Sequence, residues 1–549
     1  MRAPSRSASV LVALAVVLAA LADVPVVAVV AHGFAPGRGD VWSHLAATVL
    51  PGFVVNTLLL VALVGAGVAF GGTVTAWLVT HRRFPGDRFF EWALLLPLAT
   101  PAYVMAYAYT DWLQYAGPVQ TTLREALDWS HGDYWFPDIR SVPGAAAMFV
   151  AVLYPYVYLL ARTAFIERPP SLNEAARTLG LSAHRAFWRV DLPLARPAIA
   201  GGIALALMET LADYGTVAYF AVDTFTTGIY RAWFALGDRV AAAQLSAALL
   251  AFVIGAILLE RWSRGAARVA GGTRQRALAA TARQRLTGVR ALLATLLCAC
   301  PIVVGFALPL ALLARLALAE SEVATASRFA ELAWNSVRVY GVAAALAVIL
   351  AVLVAYAVRL APGALTRTTS RVLALGYAVP GSVLAVGVLL PVGALDRSLA
   401  AAIQALFGIA PGLLLTGTVA ALVYAYLVRY FAVAWNGIEP GLARITPTMD
   451  AAARSLGAGT LETLRRVHVP LLARSGAAAF LLVFVDVMKE LPATLVMRPF
   501  NFDTLATQTY LFARDERLAE AALPSLAIVA VGLVPILFLA RASRRVARG

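Results

Sequence analysis

Two stretches of this 549-residue chain, PSLNEAARTLGLSAHRAFWRVDLPL at 170–194 and PTMDAAARSLGAGTLETLRRVHVPL at 447–471, superimpose without a gap at an offset of 277. Ten of the 25 positions are identical, among them Ala175/Ala452, Ala176/Ala453, Arg177/Arg454, Leu179/Leu456, Gly180/Gly457, Val190/Val467 and Pro193/Pro470. Chance at this composition gives roughly two or three. A match of that kind marks an internal duplication.

Both copies lie in apolar surroundings. Hydrophobic residues make up 61% of the chain and charged residues 14%, with a mean hydropathy of +0.78. Soluble proteins average about 25% charged residues, so a soluble enzyme and a disordered chain are excluded. A spanning helix needs about 20 mainly apolar residues. Such windows fall at 9–31, 54–79, 89–112, 143–165, 197–220 and 243–261, then at 291–318, 334–358, 371–393, 411–433, 475–496 and 521–540. The expectation is an all-α polytopic membrane protein of about 12 transmembrane helices, in two tandem sets of six. Pro97 and Pro101 weaken the third span. Each repeat copy sits between the fourth and fifth span of its own set. Six is even, so the duplication is parallel rather than inverted. The domain reading is a first half at 1–260 (core about 54–261), a linker at 261–290 and a second half at 291–549 (core about 334–540). Arg2 and Arg6 before an apolar run also fit a secretory signal peptide, with Ala20-Leu21-Ala22 as a loose cleavage site. A run of roughly 23 residues favours an uncleaved first span.

The charges set the orientation. Of 45 basic residues only Lys489 is a lysine, and the formal charge is +15. With cytoplasmic termini, 32 of the 44 arginines fall on the cytoplasmic side, as the positive-inside rule requires. The outer loops carry acids instead: Asp128, Asp133 and Asp138, then Glu320, Glu322 and Glu331, then Asp515, Glu516 and Glu520. The basic excess is therefore an orientation signal and implies no nucleic acid. The linker, with eight arginines, reads as a solvated charge run beside anionic headgroups. Cys298 and Cys300 are too few for a disulfide framework or a zinc site and read as small apolar fillers.

Within the repeat, Pro169-Pro170 ends a span and Ser171-Leu172-Asn173-Glu174 fits a capping box. A short surface helix then stops near Gly180, a left-handed cap candidate, and the glycine and the later Pro193 together turn the chain back toward the bilayer. Inside the membrane, ionisable residues are costly and default to functional hypotheses. The fifth span of each half carries an acidic pair at i,i+4 spacing, Glu209 with Asp213 and Asp486 with Glu490. They are candidates for a translocation pathway. The structural alternative is that Asp486 and Lys489 neutralise each other at i,i+3.

Glu174-Ala175-Ala176, Gly180 and Val190-Asp191-Leu192-Pro193 resemble the "EAA" loop of ABC importer permeases of the binding-protein-dependent family. The resemblance implies that the loop docks into a cytoplasmic ATPase as a coupling helix. The second copy, Ala451-Ala452-Ala453, Gly457 and Pro470, lacks the glutamate, although Asp450 precedes it. A phosphate-binding loop needs a lysine before Ser or Thr, and Lys489 is followed by Glu490. ATP hydrolysis is therefore expected in partner subunits, one ATPase copy per loop, with no catalytic residue, metal or cofactor in this chain. The stretches 209–230 and 488–507 resemble fused ferric-iron permeases, which implies a periplasmic binding protein as a further partner and a bacterial inner membrane as the location. Thiamine and phosphonate importers resemble the same layout. A rival of another class is an ion-coupled secondary transporter, against which the duplicated docking loop argues. A membrane-embedded enzyme finds no metal-spaced motif among the six histidines.

Overall fold

The computed structural model describes residues 6–36, 39–130, 132–167, 178–264, 283–319 and 324–546. Its long helices are α1 (Arg6–Gly33), α2 (Leu50–His81), α3 (Val142–Ile166), α4 (Leu192–Ala212), α5 (Arg239–Arg264) and α6 (Gly288–Ile302). They continue with α7 (Ala324–Leu360), α8 (Gly381–Phe407), α9 (Val419–Ala443), α10 (Val469–Met488) and α11 (Leu518–Val546). Among the described residues eleven helices are long and apolar enough to cross a membrane. A twelfth candidate is a broken pair, Asp87–Ala99 with Ala102–Leu127, bent by 88°.

The bend has a local cause. A residue before proline is pushed out of the helical region, and Thr100, before Pro101, is extended at ψ 115°. The second half repeats the device, with Val379 at ψ 121° before Pro380. There it separates the helix Ala364–Leu375 from α8. The span expected at 371–393 therefore starts at 381 and runs to 407.

Two compact units form. One comprises residues 1–44, 228–250 and 322–508, the other 45–227, 251–321 and 509–549. The core of the second is α2 against α3 and α4, and the core of the first is α7 against α9 and α10. These helices contain the second, fourth and fifth spans of the two sequence halves. Small residues make the contacts, as they do where lipid offers no hydrophobic drive for helix association. A Cβ on Gly202 of α4 would stand 2.6 Å from the Val157 Cα of α3, and one on Gly437 of α9 would stand 2.8 Å from the Ala479 Cβ of α10.

The outer spans are distributed differently from the cores. Helix α1 lies on α7 and α8, and a Cβ at Gly387 of α8 would stand 2.4 Å from the Pro25 carbonyl oxygen. Helices α6 and α11 belong to the unit of α2, α3 and α4. Thus 1–260 and 291–549 describe the duplication, whereas each packing unit takes its core from one half and an opening span from the other.

Linker residues 265–282 lie outside the described residues. The linker's described end is solvent-exposed at Gln284 and Arg285 and is also anchored. Residues Gln284–Arg285 pair in parallel with Arg82–Arg83. The Arg283 guanidinium meets Glu91 at 2.8 Å and Asp87 at 3.6 Å. A two-residue backbone ladder and an ion cluster hold it where solvation alone was expected.

Candidate functional site

From Thr178 and Ser455 onward, where both copies are described, the two loops share the same turns. Gly180 and Gly457 both adopt left-handed backbone, φ +78° and +85°. At the second, the Gly457 N–H donates to the Arg454 carbonyl and the Ala458 N–H to the Ala453 carbonyl, each at 3.0 Å. That is a Schellman ending for the helix Pro447–Ser455. The residue before each glycine is bare, with Leu179 82% and Leu456 87% exposed. Ala451 and Ala452 are exposed, and Ala453 turns inward at 8%. Glu174, Ala175 and Ala176 lie outside the described residues.

Beyond the glycines the chain re-enters the helix through a widened π turn, Phe187–Asp191 in one half and Leu464–His468 in the other. The offset is again 277. Pro193 and Pro470 occupy the first turn of α4 and α10. Proline has no N–H, and its ring crowds the carbonyl of residue i−4; the wide turn accommodates both. Pro193 therefore rides inside a continuous helix, and the turn back into the bilayer belongs to the glycine.

Around the second loop a polar node forms that motif reading missed. Arg359, next to the last residue of α7, donates Nε to Asp450 Oδ2 at 2.9 Å and holds its Nη2 2.8 Å from the same oxygen as an ion pair. Its Nη1 donates to the Leu442 carbonyl at 3.0 Å and its Nη2 to the Ile445 carbonyl at 2.8 Å. His468, fully buried on the π turn, donates Nε2 to Asp450 Oδ1 at 2.7 Å. Burial raises the Asp450 pKa, but the hydrogen bonds from Arg359 and His468 outweigh it and leave the carboxyl below its ordinary value. In the first half, Arg82 lies 277 positions before Arg359 and stacks on Trp77 at 4.7 Å. Asp191 stands 3.7 Å from Nε2 of His81, the residue before Arg82. The signal for these residues lay in mismatched columns of the repeat, Asn173/Asp450 and Asp191/His468.

The four intramembrane carboxylates do not form two helical pairs. Glu209 and Asp486 lie within α4 and α10, half-buried. Asp213 and Glu490 lie past the ends of those helices, because each opens a new short one. Asp213 accepts the Thr216 and Val217 N–H groups at 2.9 and 3.3 Å, ahead of the helix Gly215–Tyr219. Glu490 accepts the Ala493 and Thr494 N–H groups at 2.9 and 3.0 Å, ahead of the helix Pro492–Met497. It also meets Arg429 at 3.3 Å, with side chains 1% and 8% exposed. Four residues in the outer stretches are duplicated too. The Thr224 N–H donates to Thr227 Oγ1, and Thr504 does the same to Thr507, both at 2.9 Å. The second copy opens a polar pocket of about 410 Å³ whose lining includes Arg328, Glu331, Asn335, Asp503 and Gln508. Among the described residues no group of three or more His, Cys, Asp or Glu side chains could hold a metal ion.

Known proteins share this pattern. A family described as the binding-protein-dependent transport system inner membrane component matches residues 67–264. The chain is 26% identical over 491 residues to the Fe(3+)-transport system permease protein FbpB 2 of Haemophilus influenzae, covering 88% of each chain. It is 24% identical over 489 residues to the ferric transport system permease protein FbpB of Actinobacillus pleuropneumoniae, 84% of this chain and 66% of that one. A probable sulfate transport system permease protein of Chlorokybus atmophyticus is 30% identical over 200 residues, 36% of this chain and 66% of its own.

Proposed function

We propose that the chain is an inner-membrane permease of a binding-protein-dependent transport system and that it conducts ferric iron into the cell under the drive of separate ATPase subunits. The observation that carries the ATP-driven reading is the duplicated loop, with Leu179 and Leu456 bare beside two left-handed glycines. An ion-coupled carrier has no use for two matching docking surfaces. Support for iron comes from the ferric permeases, which align along both halves, whereas the sulfate permease matches about 200 residues.

One ATPase copy docks at each loop on the cytoplasmic side, where both termini also lie, and a loaded binding protein docks outside. ATP-driven closure of the ATPases pushes on both loops and switches the permease from inward to outward opening. Cargo enters, and hydrolysis resets it. Of the four carboxylates, Glu209 and Asp486 are the candidates for meeting cargo, since Asp213 and Glu490 are committed to capping helices.

The test is reconstitution with the ATPase and binding protein. ATP should drive uptake of ferric iron, and Gly180→Trp with Gly457→Trp should abolish it while the chain stays inserted. Unchanged uptake in that variant would sink the coupling-loop assignment. Uptake by this chain alone on an ion gradient would establish the carrier instead, and sulfate or molybdate uptake in place of iron would replace the cargo.

A further inference from the structure

A coupling helix joined to the membrane only by its loop would bend when pushed. The helix Pro447–Ser455 is joined by more than its loop. The guanidinium of Arg359 reaches three chain positions at once: the Asp450 carboxylate on the helix, the Leu442 carbonyl near the end of α9, and the Ile445 carbonyl between them. His468 brings the π turn that leads into α10 to the same carboxylate. The His468 ring lies edge-on to Tyr356 of α7, with centroids 5.0 Å apart, and Tyr356 Oη donates to the Thr460 carbonyl at 2.9 Å. Three spanning helices and the exposed helix thus meet at one ionic node. Arg359 and Asp450 are only 16% and 20% exposed.

We propose that Arg359 is the positioning residue of the second coupling loop, fixing Pro447–Ser455 to α7, α9 and α10 so that a push on the exposed helix moves the membrane core as one body. The proposal rests on the reading of this loop as the ATPase contact. The repeat supplies the argument that the node matters as a whole. Both halves keep the arginine, Arg82 and Arg359, and both keep one acid in the two mismatched columns. The acid changes element, with Asn173 and Asp191 in the first half and Asp450 and His468 in the second. When the acid appears on the exposed helix, the π-turn position gives up its own acid and becomes a hydrogen-bond donor to the new one. Two mismatches that compensate each other describe a single device built in two ways.

The experiment uses the permease reconstituted in nanodiscs with its ATPase and binding protein. It reads ATPase docking, the stimulation of ATP hydrolysis by loaded binding protein, and uptake. A charge-assisted bond is worth enough that Arg359→Gln and Asp450→Asn should each lower stimulated uptake about tenfold. In Arg359→Gln, docking and basal hydrolysis should stay as in the wild type. Arg359→Lys, which keeps the charge but loses the fork, should fall between. The double variant Asp450→Asn/His468→Asp, which copies the first half, should recover most of the loss suffered by Asp450→Asn. Full uptake in Arg359→Gln overturns the proposal, and so does a double variant that docks its ATPase but is no better than Asp450→Asn. If Gly457→Trp docks and transports normally, the coupling-loop reading itself fails, which separates the two outcomes.

Discussion

Arg82 and Arg359 occupy matched positions of the repeat on different backbones, Arg82 extended just past the end of α2 and Arg359 within the last turn of α7, and the acids near them sit on different elements. In the first half the acid is Asp191 on the π turn with His81 beside it; in the second it is Asp450 on the exposed helix, and His468 stands where Asp191 stood. The outer caps diverge in a parallel way. Asp213 and Glu490 do the same job, but Glu490 has Arg429 against it, and the matching position in α3 is Val152. Duplication has kept the left-handed glycine and the π turn of each loop, while the charged side chains around them have been free to change. Backbone features such as a left-handed glycine or a π turn have few chemical substitutes. A neutralised ion cluster has several.

The largest test of that contrast is at Glu490. Arg429→Val, which installs the first-half residue, strands a carboxylate whose side chain is 1% exposed. Removing one partner of a buried pair costs about 3–5 kcal/mol. The thermal unfolding midpoint in detergent should drop sharply and largely recover in Arg429→Val/Glu490→Gln. A single variant that melts with the wild type would break the contrast.

Next come the glycines, where the halves should agree. A Cβ at Gly180 or Gly457 meets nothing within 4 Å, so the penalty is conformational, about 1–2 kcal/mol for a residue that resists left-handed backbone. Gly180→Val and Gly457→Val should destabilise by similar amounts, and the corresponding asparagine variants by less. A gap of more than about 1 kcal/mol between the valine variants would mean the loops differ in backbone as well as charge.

The smallest effect is on acid stability. Because the Asp450 carboxyl is depressed in the folded chain, its contribution is complete above its unfolded value of about 3.9 and is lost as pH falls through the lower folded value. Asp450→Asn should therefore flatten the fall of the melting temperature below about pH 4. Equal acid slopes in variant and wild type would show that the node holds no depressed carboxylate.

Much of this architecture was legible in the sequence. The apolar windows found the spans because lipid demands long uncharged helices, although four of the eleven unbroken ones miss their boundaries by eight residues or more, and the 277 offset gave the repeat. The boundary errors trace to particular residues. Pro380 delays a span that hydropathy alone started at 371, and Asp213 ends a helix that hydropathy carried on to 220. The i,i+4 reading of the carboxylates assumed an unbroken helix, which a carboxylate opening the next helix contradicts. The Arg359 node was out of reach of motif reading, since its partner is 91 positions away. The packing of α1 was equally hidden, because an evenly apolar helix carries no mark of which neighbour it will choose.

That last feature bears on how the protein is made. The bed for Pro25 of α1 includes Gly387, and Gly387 leaves the ribosome about 360 residues later, roughly 20–70 s at ordinary synthesis rates. For that interval α1 has no finished site to occupy. It must be held by lipid or by the insertion machinery until α8 arrives. A message cut short in the linker would release a product with an orphaned segment, open to the proteases that clear unassembled membrane proteins.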